Sequence, residues 1–350
     1  MSELLQIQEL LNGYTIDKNN VQSVGNMTVL PLVSDEEFTN VADINEVVLQ
    51  RDVSYDNLEF HNASGKIGIA LQGWSIIDDQ RAQDRTVPYA HLIKEANSKV
   101  IPANCIQHSQ CGNFDVSNWD QDRFMVMPPS IRGVALKKAS YNNSETGALW
   151  STLKSWVKGI DCDNNGLKYF YSQHEDKLDQ FVAQFEPVKN QLGSIVLIND
   201  EVIAIDIMPK FDSWKGVWET FIRDSYGGEA IRSIENSGAV VSHPMFKTED
   251  IEDLDDLESA YEKSKSDFHD HLKAKVNSVI QLSVGRKKLE EINELTMVKL
   301  ENEHYIGQGV YHGDEHIVYL SLVSTSSKPK TKTKIKSLRN NPYRNQNFEF

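Results

Sequence analysis

The 350-residue chain is acidic, with 51 Asp and Glu against 36 Lys and Arg, a formal net charge of -15 and a mean hydropathy of -0.46. This charge argues against a general nucleic-acid binder, because neutralising phosphates requires a basic face. Three cysteines are too few, and odd in number, for a disulfide framework, and no segment approaches the ~18 consecutive apolar residues of a membrane span. We therefore expect a cytoplasmic protein with no membrane partner.

The first part of the chain predicts mainly strands. Residues 1–11 have the pattern of a short amphipathic helix and not that of a signal peptide. A short helical turn is expected at 35–41. Strands are predicted over four ranges, which are 21–32, 46–51, 57–62 and 66–77. An antiparallel pair formed by 86–94 and 98–106 follows.

The middle of the chain predicts mainly helices. A strand at 130–141 precedes helices at 144–159 and 172–189. Residues 193–208 are strongly β-prone on both sides of a turn and predict a hairpin. Residues 213–236 predict a helix that is broken near Gly227-Gly228.

The carboxy-terminal part begins with an acidic amphipathic helix, predicted over 249–279. Strands follow at 279–284 and 296–300, and a hairpin spans 305–323. The last 27 residues, 324–350, contain seven Lys and Arg and one Glu, which predicts a disordered basic tail.

These elements define an α+β fold class with mostly antiparallel sheets, a helical middle region, and a carboxy-terminal helix with hairpins. We expect three units along the chain. They are an α+β domain at 1–236, a helix and hairpin extension at 237–323, and the tail at 324–350.

The reactive side chains concentrate between Gln83 and Gln107. Arg85 presents a planar fork of donors that suits phosphate or carboxylate, and Arg132 is a second candidate of this kind. Cys105 is a candidate nucleophile or ligand-contacting thiol, although a free cysteine often packs as a small core residue. Gln83 and Gln107 offer amide donors and acceptors for orienting a ligand.

These residues carry a resemblance to a known family. Gln83-Asp84-Arg85 followed by Ile101-Pro102-Ala103-Asn104-Cys105 resembles the signature of the ARG and rhodanese-phosphatase-superfamily-associated protein domain, here called ARPP. Weaker matches follow over about residues 22–235. They are Asn26 to Leu32, Arg132, Trp150, Gly193, Asp206, Trp218, Ser225-Tyr226 and Glu229-Ala230.

The resemblance implies a protein that binds an NAD- or ADP-ribose-derived small molecule, with processing of that ligand left open. Arg85 and Arg132 would hold phosphates, Gln83 and Gln107 would contact the ligand, and Cys105 would line the reacting end. Relatives usually carry Glu two residues after the cysteine, where this chain has Gln107. No resident cofactor and no metal is implied.

Two alternatives of other classes remain open. One is a non-catalytic protein that sequesters a nucleotide-derived signal, in a conflict between a mobile element and its host. The other is an interaction or structural module. A homo-oligomer is left open, and contact with nucleic acid is expected only through the basic tail. The spacing of Cys105, His108 and Cys111 is like that of metal ligands, but no second cluster supplies the further ligands of a structural zinc site. Residues 161–166 match the start of an EF-hand calcium loop, but Ser172 stands where its final Glu would be.

Overall fold

A computed structural model describes residues 3–54, 56–77, 84–106, 124–142, 149–158, 166–237, 251, 253–313 and 316–325, of which 3 and 51–54 are described by their backbone alone. Gln83, Gln107, His108, Cys111, Cys162 and the tail from 326 onward lie outside these ranges.

The largest element is an antiparallel sheet of ten strands in the order β1-β16-β17-β18-β19-β15-β14-β4-β2, with β3 paired to β4. Its strands are β1 (Glu3–Gln6), β2 (Thr15–Ile16), β3 (Gln22–Val24), β4 (Met27–Val33), β14 (Gln191–Ile198), β15 (Glu201–Ile207), β16 (Ser283–Ile292), β17 (Leu295–Glu301), β18 (Tyr305–His312) and β19 (His316–Ser324).

Three smaller antiparallel sheets lie between β4 and β14 in the sequence. One sheet contains β5 (Val47–Ser54), β6 (Asn57–Asn62) and β11 (Asn97–Pro102), and another pairs β7 (Gly68–Ala70) with β10 (His91–Ile93). The third has the order β12-β9-β8-β13 and consists of β8 (Trp74–Ile76), β9 (Arg85–Thr86), β12 (Asn104–Cys105) and β13 (Phe124–Val126).

The helices are concentrated in the middle of the chain. They are α1 (Ile7–Leu10), α2 (Pro129–Lys138), α3 (Trp150–Trp156), α4 (Leu167–Gln173), α5 (Glu175–Gln184), α6 (Phe211–Thr220), a π-helix (Phe221–Gly227), α7 (Gly228–Ser237) and α8 (Leu254–Ile280), with 3-10 turns at Lys18–Asn20 and Ile44–Glu46.

The large sheet has an apolar layer on each face, because alternate residues of a strand point to opposite sides. On β14, Val196 and Ile198 belong to a core shared with the small sheets and the middle helices. Ile195 and Leu197 belong to a second core, which α1 and α8 cover. The sheet therefore separates the middle of the chain from its amino-terminal helix and α8.

Several sequence predictions are confirmed. The fold is α+β with extensive antiparallel sheets. The hairpin at 193–208 is β14 and β15, joined by Asn199 and Asp200, whose φ angles of 49° and 64° match the two-residue turn that suits twisted strands. The helix at 213–236 is α6, the π-helix and α7, and the change from π- to α-helix falls between Gly227 and Gly228.

Three local predictions were wrong. Residues 130–138 of the predicted strand at 130–141 belong to helix α2, because Pro129 starts a helix whose Ile131 and Ala135 share a buried face. Residues 3–6 form β1, since they pair with the edge of β16, so Ile7–Leu10 is the helical part of the predicted first helix within its described residues 3–11. The turn expected at 35–41 has no helix.

The predicted pairing of 86–94 with 98–106 is confirmed at one end, where Thr86 of β9 lies opposite Asn104 of β12, and was wrong over the rest of both segments. In the structure, β10 pairs with β7, β11 pairs with β6, and β12 pairs with β9. The segments are broken into short strands, so each joins a different neighbour.

The large sheet also crosses the expected boundary at residue 236. Ile205 of β15 lies opposite Leu322 of β19, so strands from both sides of that boundary share one set of backbone hydrogen bonds.

Candidate functional site

Arg85 and Cys105 lie directly opposite each other on neighbouring strands, as Cα partners in the β9–β12 pair. Arg85 is 2% exposed and Cys105 is fully buried. Side chains at opposite positions of an antiparallel pair point to the same face of the sheet, so the guanidinium stem and the thiol share one side. The fold therefore brings together two of the residues on which the resemblance rests.

The same face continues across the small sheet. Arg85 is also the partner of Ile76 on β8, and Ile76 is the partner of Phe124 on β13. Cys105, Arg85, Ile76 and Phe124 therefore form one row, hereafter the Cys105–Phe124 row. With strands ~4.8 Å apart, the row spans roughly 14 Å.

Aromatic rings cover the Phe124 end of the row. Trp74 is two residues before Ile76 and shares its face, and its ring stacks on Phe124 with centroids 4.6 Å apart and planes 10° apart. Phe60 stacks on both rings, at 5.9 Å from Trp74 and 6.0 Å from Phe124. Stacked rings of this kind form a flat apolar wall.

A cavity of about 1020 Å³ opens at this wall. Trp74 and Phe124 line one side, and the other side carries Thr220, Arg223 and Asp224 from the end of α6 and the π-helix. An aromatic wall facing a few convergent polar groups is the usual composition of a small-molecule site.

Asp224 is a buried acid in the described lining of the cavity. Burial raises its pKa to about 6, and this effect outweighs the opposing Arg223 charge and Thr220 hydrogen bond. The Arg223 guanidinium donates to Asp224 Oδ1 at 2.9 Å, and Thr220 Oγ1 lies 2.8 Å from Oδ2. A buried carboxyl that titrates near neutrality is typical of functional sites.

The opposite face of the small sheet leads to a different cluster. There Ser75 donates to the Gly73 carbonyl at 3.0 Å, and the aliphatic part of Arg132 packs on Gly73. A Cβ at Gly73 would lie 2.6 Å from Arg132 Cδ. The close approach therefore requires glycine at 73.

Arg132 forms a bidentate ion pair with Asp206, and both side chains are fully buried. Its terminal nitrogens lie 2.7 and 3.0 Å from the two carboxylate oxygens. Ser321 and Tyr226 complete the cluster, at 2.8 Å from Arg132 and 2.7 Å from Asp206. Burial lowers the pKa of Arg132, but the Asp206 carboxylate more than compensates and leaves it raised.

The structure thus separates the predicted phosphate-binding arginines into two settings. Arg85 lies beside Cys105, whereas the terminal nitrogens of Arg132 are bound to Asp206. An anion would have to displace the Asp206 carboxylate to use Arg132. Gln83 and Gln107 remain predictions, because both lie outside the described residues.

Sequence reasoning missed Trp74, Phe124, Thr220 and Asp224, which come from three separate segments. The only local sign of Asp224 is an acid within a largely apolar helical stretch. The π-helix gives it a special position, since π-helical turns are rare and frequent at functional sites.

Together these features define an antiparallel α+β protein with a polar and aromatic cavity at the edge of a small sheet. The sequence profile of the ARG and rhodanese-phosphatase-superfamily-associated protein domain, ARPP-1, matches residues 15–323, so the chain belongs to this family. The match extends beyond the 22–235 seen from motifs and includes α8 and β16–β19. No curated protein and no solved structure shows significant similarity to the chain.

Several of the weaker family matches meet in three dimensions. Arg132 binds Asp206, the Ser225 hydroxyl donates to the Met127 carbonyl, and Tyr226 donates to Asp206. The family matches among them, from Arg132 to Tyr226, are up to 94 positions apart in the sequence. The shared motifs therefore include a buried polar cluster that supports the small sheet and the π-helix.

Two further findings concern metals and membranes. Among the described residues, no group of three His, Cys, Asp or Glu side chains is placed to hold a metal ion. Nor does any helix in the described ranges have the length and apolar character needed to cross a membrane.

Proposed function

We propose that the protein binds an NAD- or ADP-ribose-derived small molecule in the cavity at the small sheet. A flat ring of the ligand stacks on the wall of Trp74 and Phe124, and its pyrophosphate lies toward Arg85. The Cys105–Phe124 row carries this proposal, because it places a thiol, a guanidinium and an aromatic ring on one face of the sheet.

The dimensions support a dinucleotide-like ligand. The row spans roughly 14 Å from Cys105 to Phe124 if strands are ~4.8 Å apart. The cavity of about 1020 Å³ is at the upper end of ordinary ligand pockets and meets the row at Phe124, whereas Ile76, Arg85 and Cys105 are not in its described lining. The ligand would therefore extend from the cavity along the row. Arg85 is two strands from Phe124, so a phosphate beside it lies about 10 Å from a ring on Phe124. A buried guanidinium binds phosphate strongly, because two parallel hydrogen bonds act where water does not compete.

The role of Cys105 decides whether the protein processes its ligand or only binds it. A cation next to a cysteine favours the nucleophilic thiolate, so Cys105 is the candidate for processing the ligand. Without turnover, the same cavity would sequester a nucleotide-derived signal, for example in a conflict between a mobile element and its host.

The test is a thermal-shift panel with NAD, ADP-ribose, cyclic ADP-ribose and plain nucleotides. A ligand at about 100 times its Kd adds ~2.7 kcal/mol to the free energy of unfolding, which a melting curve detects. We expect ADP-ribosyl compounds to stabilise the wild type, and Arg85→Ala to lose that shift. Arg85→Lys keeps the charge without the planar fork and serves if the alanine variant does not fold.

Arg232→Ala is the matched control. Arg232 is half-buried, lies over the Trp156 ring at 4.8 Å and lines a different cavity. Its loss should leave the ligand shift intact. Absence of any shift in the wild type would refute the proposal, and recovery of the ligand, intact or cleaved, would separate sequestration from catalysis.

One observation favours the interaction module as a second candidate. The first half of α8 exposes Leu254, Leu257 and Tyr261, at 81%, 37% and 47% exposure, along one helical face. A second copy of the chain is the partner to test. Light scattering should give a dimer mass for the wild type and a monomer mass after Leu254→Ser with Tyr261→Ser, and a monomeric wild type would exclude self-association through this face.

A further inference from the structure

The Thr220 hydroxyl lies between two acceptors. Its oxygen is 3.0 Å from the Phe124 carbonyl oxygen and 2.8 Å from Asp224 Oδ2. A hydroxyl has one proton to donate, so it cannot make a full hydrogen bond to both at once. Both contacts are hydrogen bonds only when the Asp224 carboxyl is protonated and donates to Thr220, which in turn donates to Phe124.

The proton on Asp224 therefore decides whether Thr220 is hydrogen-bonded to the backbone of Phe124, a residue of the aromatic wall. In the neutral state, a chain of two hydrogen bonds runs from Asp224 through Thr220 to the backbone of β13, which carries Phe124. In the ionised state, Thr220 donates to Asp224 and no longer to Phe124. Burial, which raises the pKa of Asp224 to about 6, makes the neutral state accessible under mild conditions.

The charges around the cavity also make the protonation of Asp224 matter for an anionic ligand. Arg223 is the cation in its described lining, against the acids Asp224, Glu175 and Glu219. With Asp224 ionised, these four groups sum to -2, and with Asp224 neutral they sum to -1. An anionic ligand therefore meets less repulsion when Asp224 carries a proton.

Other titratable groups lie around Asp224 on the neighbouring helices. The α6 residue Glu219 raises the pKa of Asp224 slightly, and the α5 residue Asp179 binds Arg223 at 2.8 Å. From α4, the Tyr171 hydroxyl donates to the Asp224 backbone carbonyl at 3.0 Å, and burial keeps its pKa well above the usual value. On α7, the charge of Glu229 raises the pKa of Tyr171 further. The residues of β13 carry no titratable group.

We propose that an anionic ligand of this cavity binds together with a proton, which Asp224 takes up and shares with Thr220. This inference rests on the proposed function and adds to it the charge of the ligand and the protonation state in which it is held. The ligand class is a phosphate-bearing compound without a compensating positive charge, of which ADP-ribose is the probe.

The experiment measures the Kd of ADP-ribose by calorimetry at about pH 5 and about pH 7.5. If only the protonated form binds, affinity falls about 30-fold between these values, because Asp224 changes from mostly neutral to mostly ionised. Asp224→Asn is nearly isosteric and permanently neutral. Its affinity should be the same at both values and should equal that of the wild type at the lower one.

Glu175→Gln is the matched control, since Glu175 is another carboxyl of the lining, exposed and on α5. It should keep the wild-type dependence on pH. A gain of affinity in Asp224→Asn near pH 7.5 cannot come from misfolding, which would only weaken binding.

The outcomes separate the inference from the proposed function. Equal wild-type affinity at both pH values, with binding still lost in Arg85→Ala, overturns the inference and leaves the function. A dependence on pH that persists in Asp224→Asn also overturns it, because another group must then titrate. No binding by the wild type at either value overturns the proposed function, and the inference with it.

Discussion

Arg132 and Asp206 form a fully buried, bidentate ion pair that joins helix α2 to strand β15. The pair is completed by hydroxyl groups from β19 and the π-helix, at Ser321 and Tyr226. It therefore ties four segments that are distant in the sequence. Its position directly behind Gly73 places it against the small sheet that carries Arg85 and Cys105.

Removing one partner of this pair should strongly destabilise the fold. We expect Asp206→Ala to lower the free energy of unfolding by about 3–5 kcal/mol, because an uncompensated charge remains buried. Urea denaturation measures the change. Lys275→Ala, which breaks the exposed pair with Glu201, should cost less than ~1 kcal/mol and serves as control. Equal effects of the two substitutions would contradict a structural role for the buried pair.

Gly73→Ala should destabilise the protein in two ways. The φ angle of 78° costs a side chain about 1–2 kcal/mol, and the clash with Arg132 Cδ adds about 1–3 kcal/mol. Gly13→Ala isolates the first effect, since Gly13 has a φ of 89° and no atom within 4 Å of its Cβ position. The difference between the two melting temperatures reports the clash, and a difference near zero would mean that Arg132 moves aside freely.

His91 should make the fold sensitive to acid. Burial, with a smaller contribution from Lys99, lowers the pKa of His91 to about 3 from an ordinary 6.5. The unfolded chain then takes up a proton that the folded chain does not, so the stability present above pH 6.5 is lost as the pH falls toward 3. At about pH 5 the expected loss is ~2 kcal/mol.

His91→Phe should remove this loss while keeping the stacking on Tyr141, whose ring centroid is 4.5 Å away. Urea denaturation of both proteins, above pH 6.5 and at about pH 5, gives the loss of stability of each. An equal loss of stability in the variant would assign the acid sensitivity to another group.

Cys105 should react slowly with thiol reagents in the folded protein, because its side chain is fully buried. We expect peptide mass spectrometry to find Cys105 unmodified after brief exposure to iodoacetamide, and fully modified when the same treatment is made in urea. Rapid modification in the native state would reveal an access route to the inner end of the Cys105–Phe124 row.

Local sequence patterns predicted the strongly periodic elements. The β14–β15 hairpin followed from β-prone runs around Asn199-Asp200, and α8 followed from an amphipathic stripe. The pattern failed over 130–141, where helical and strand-like spacing are both readable and Pro129 decides for the helix. The partners of β10 and β11 were misjudged, because strands of three and six residues contain too little periodicity to indicate a partner.

The sequence by itself determined the α+β class, the acidic character and the family, because these depend on composition, local periodicity and short motifs. It also indicated Arg85 and Cys105 as candidates. Only the tertiary structure decided that these two are strand partners, that Arg132 is held by Asp206, and that Asp224 shares a cavity with Trp74 and Phe124. Contacts between distant segments depend on strand pairing and on the burial of charge, which no local pattern specifies.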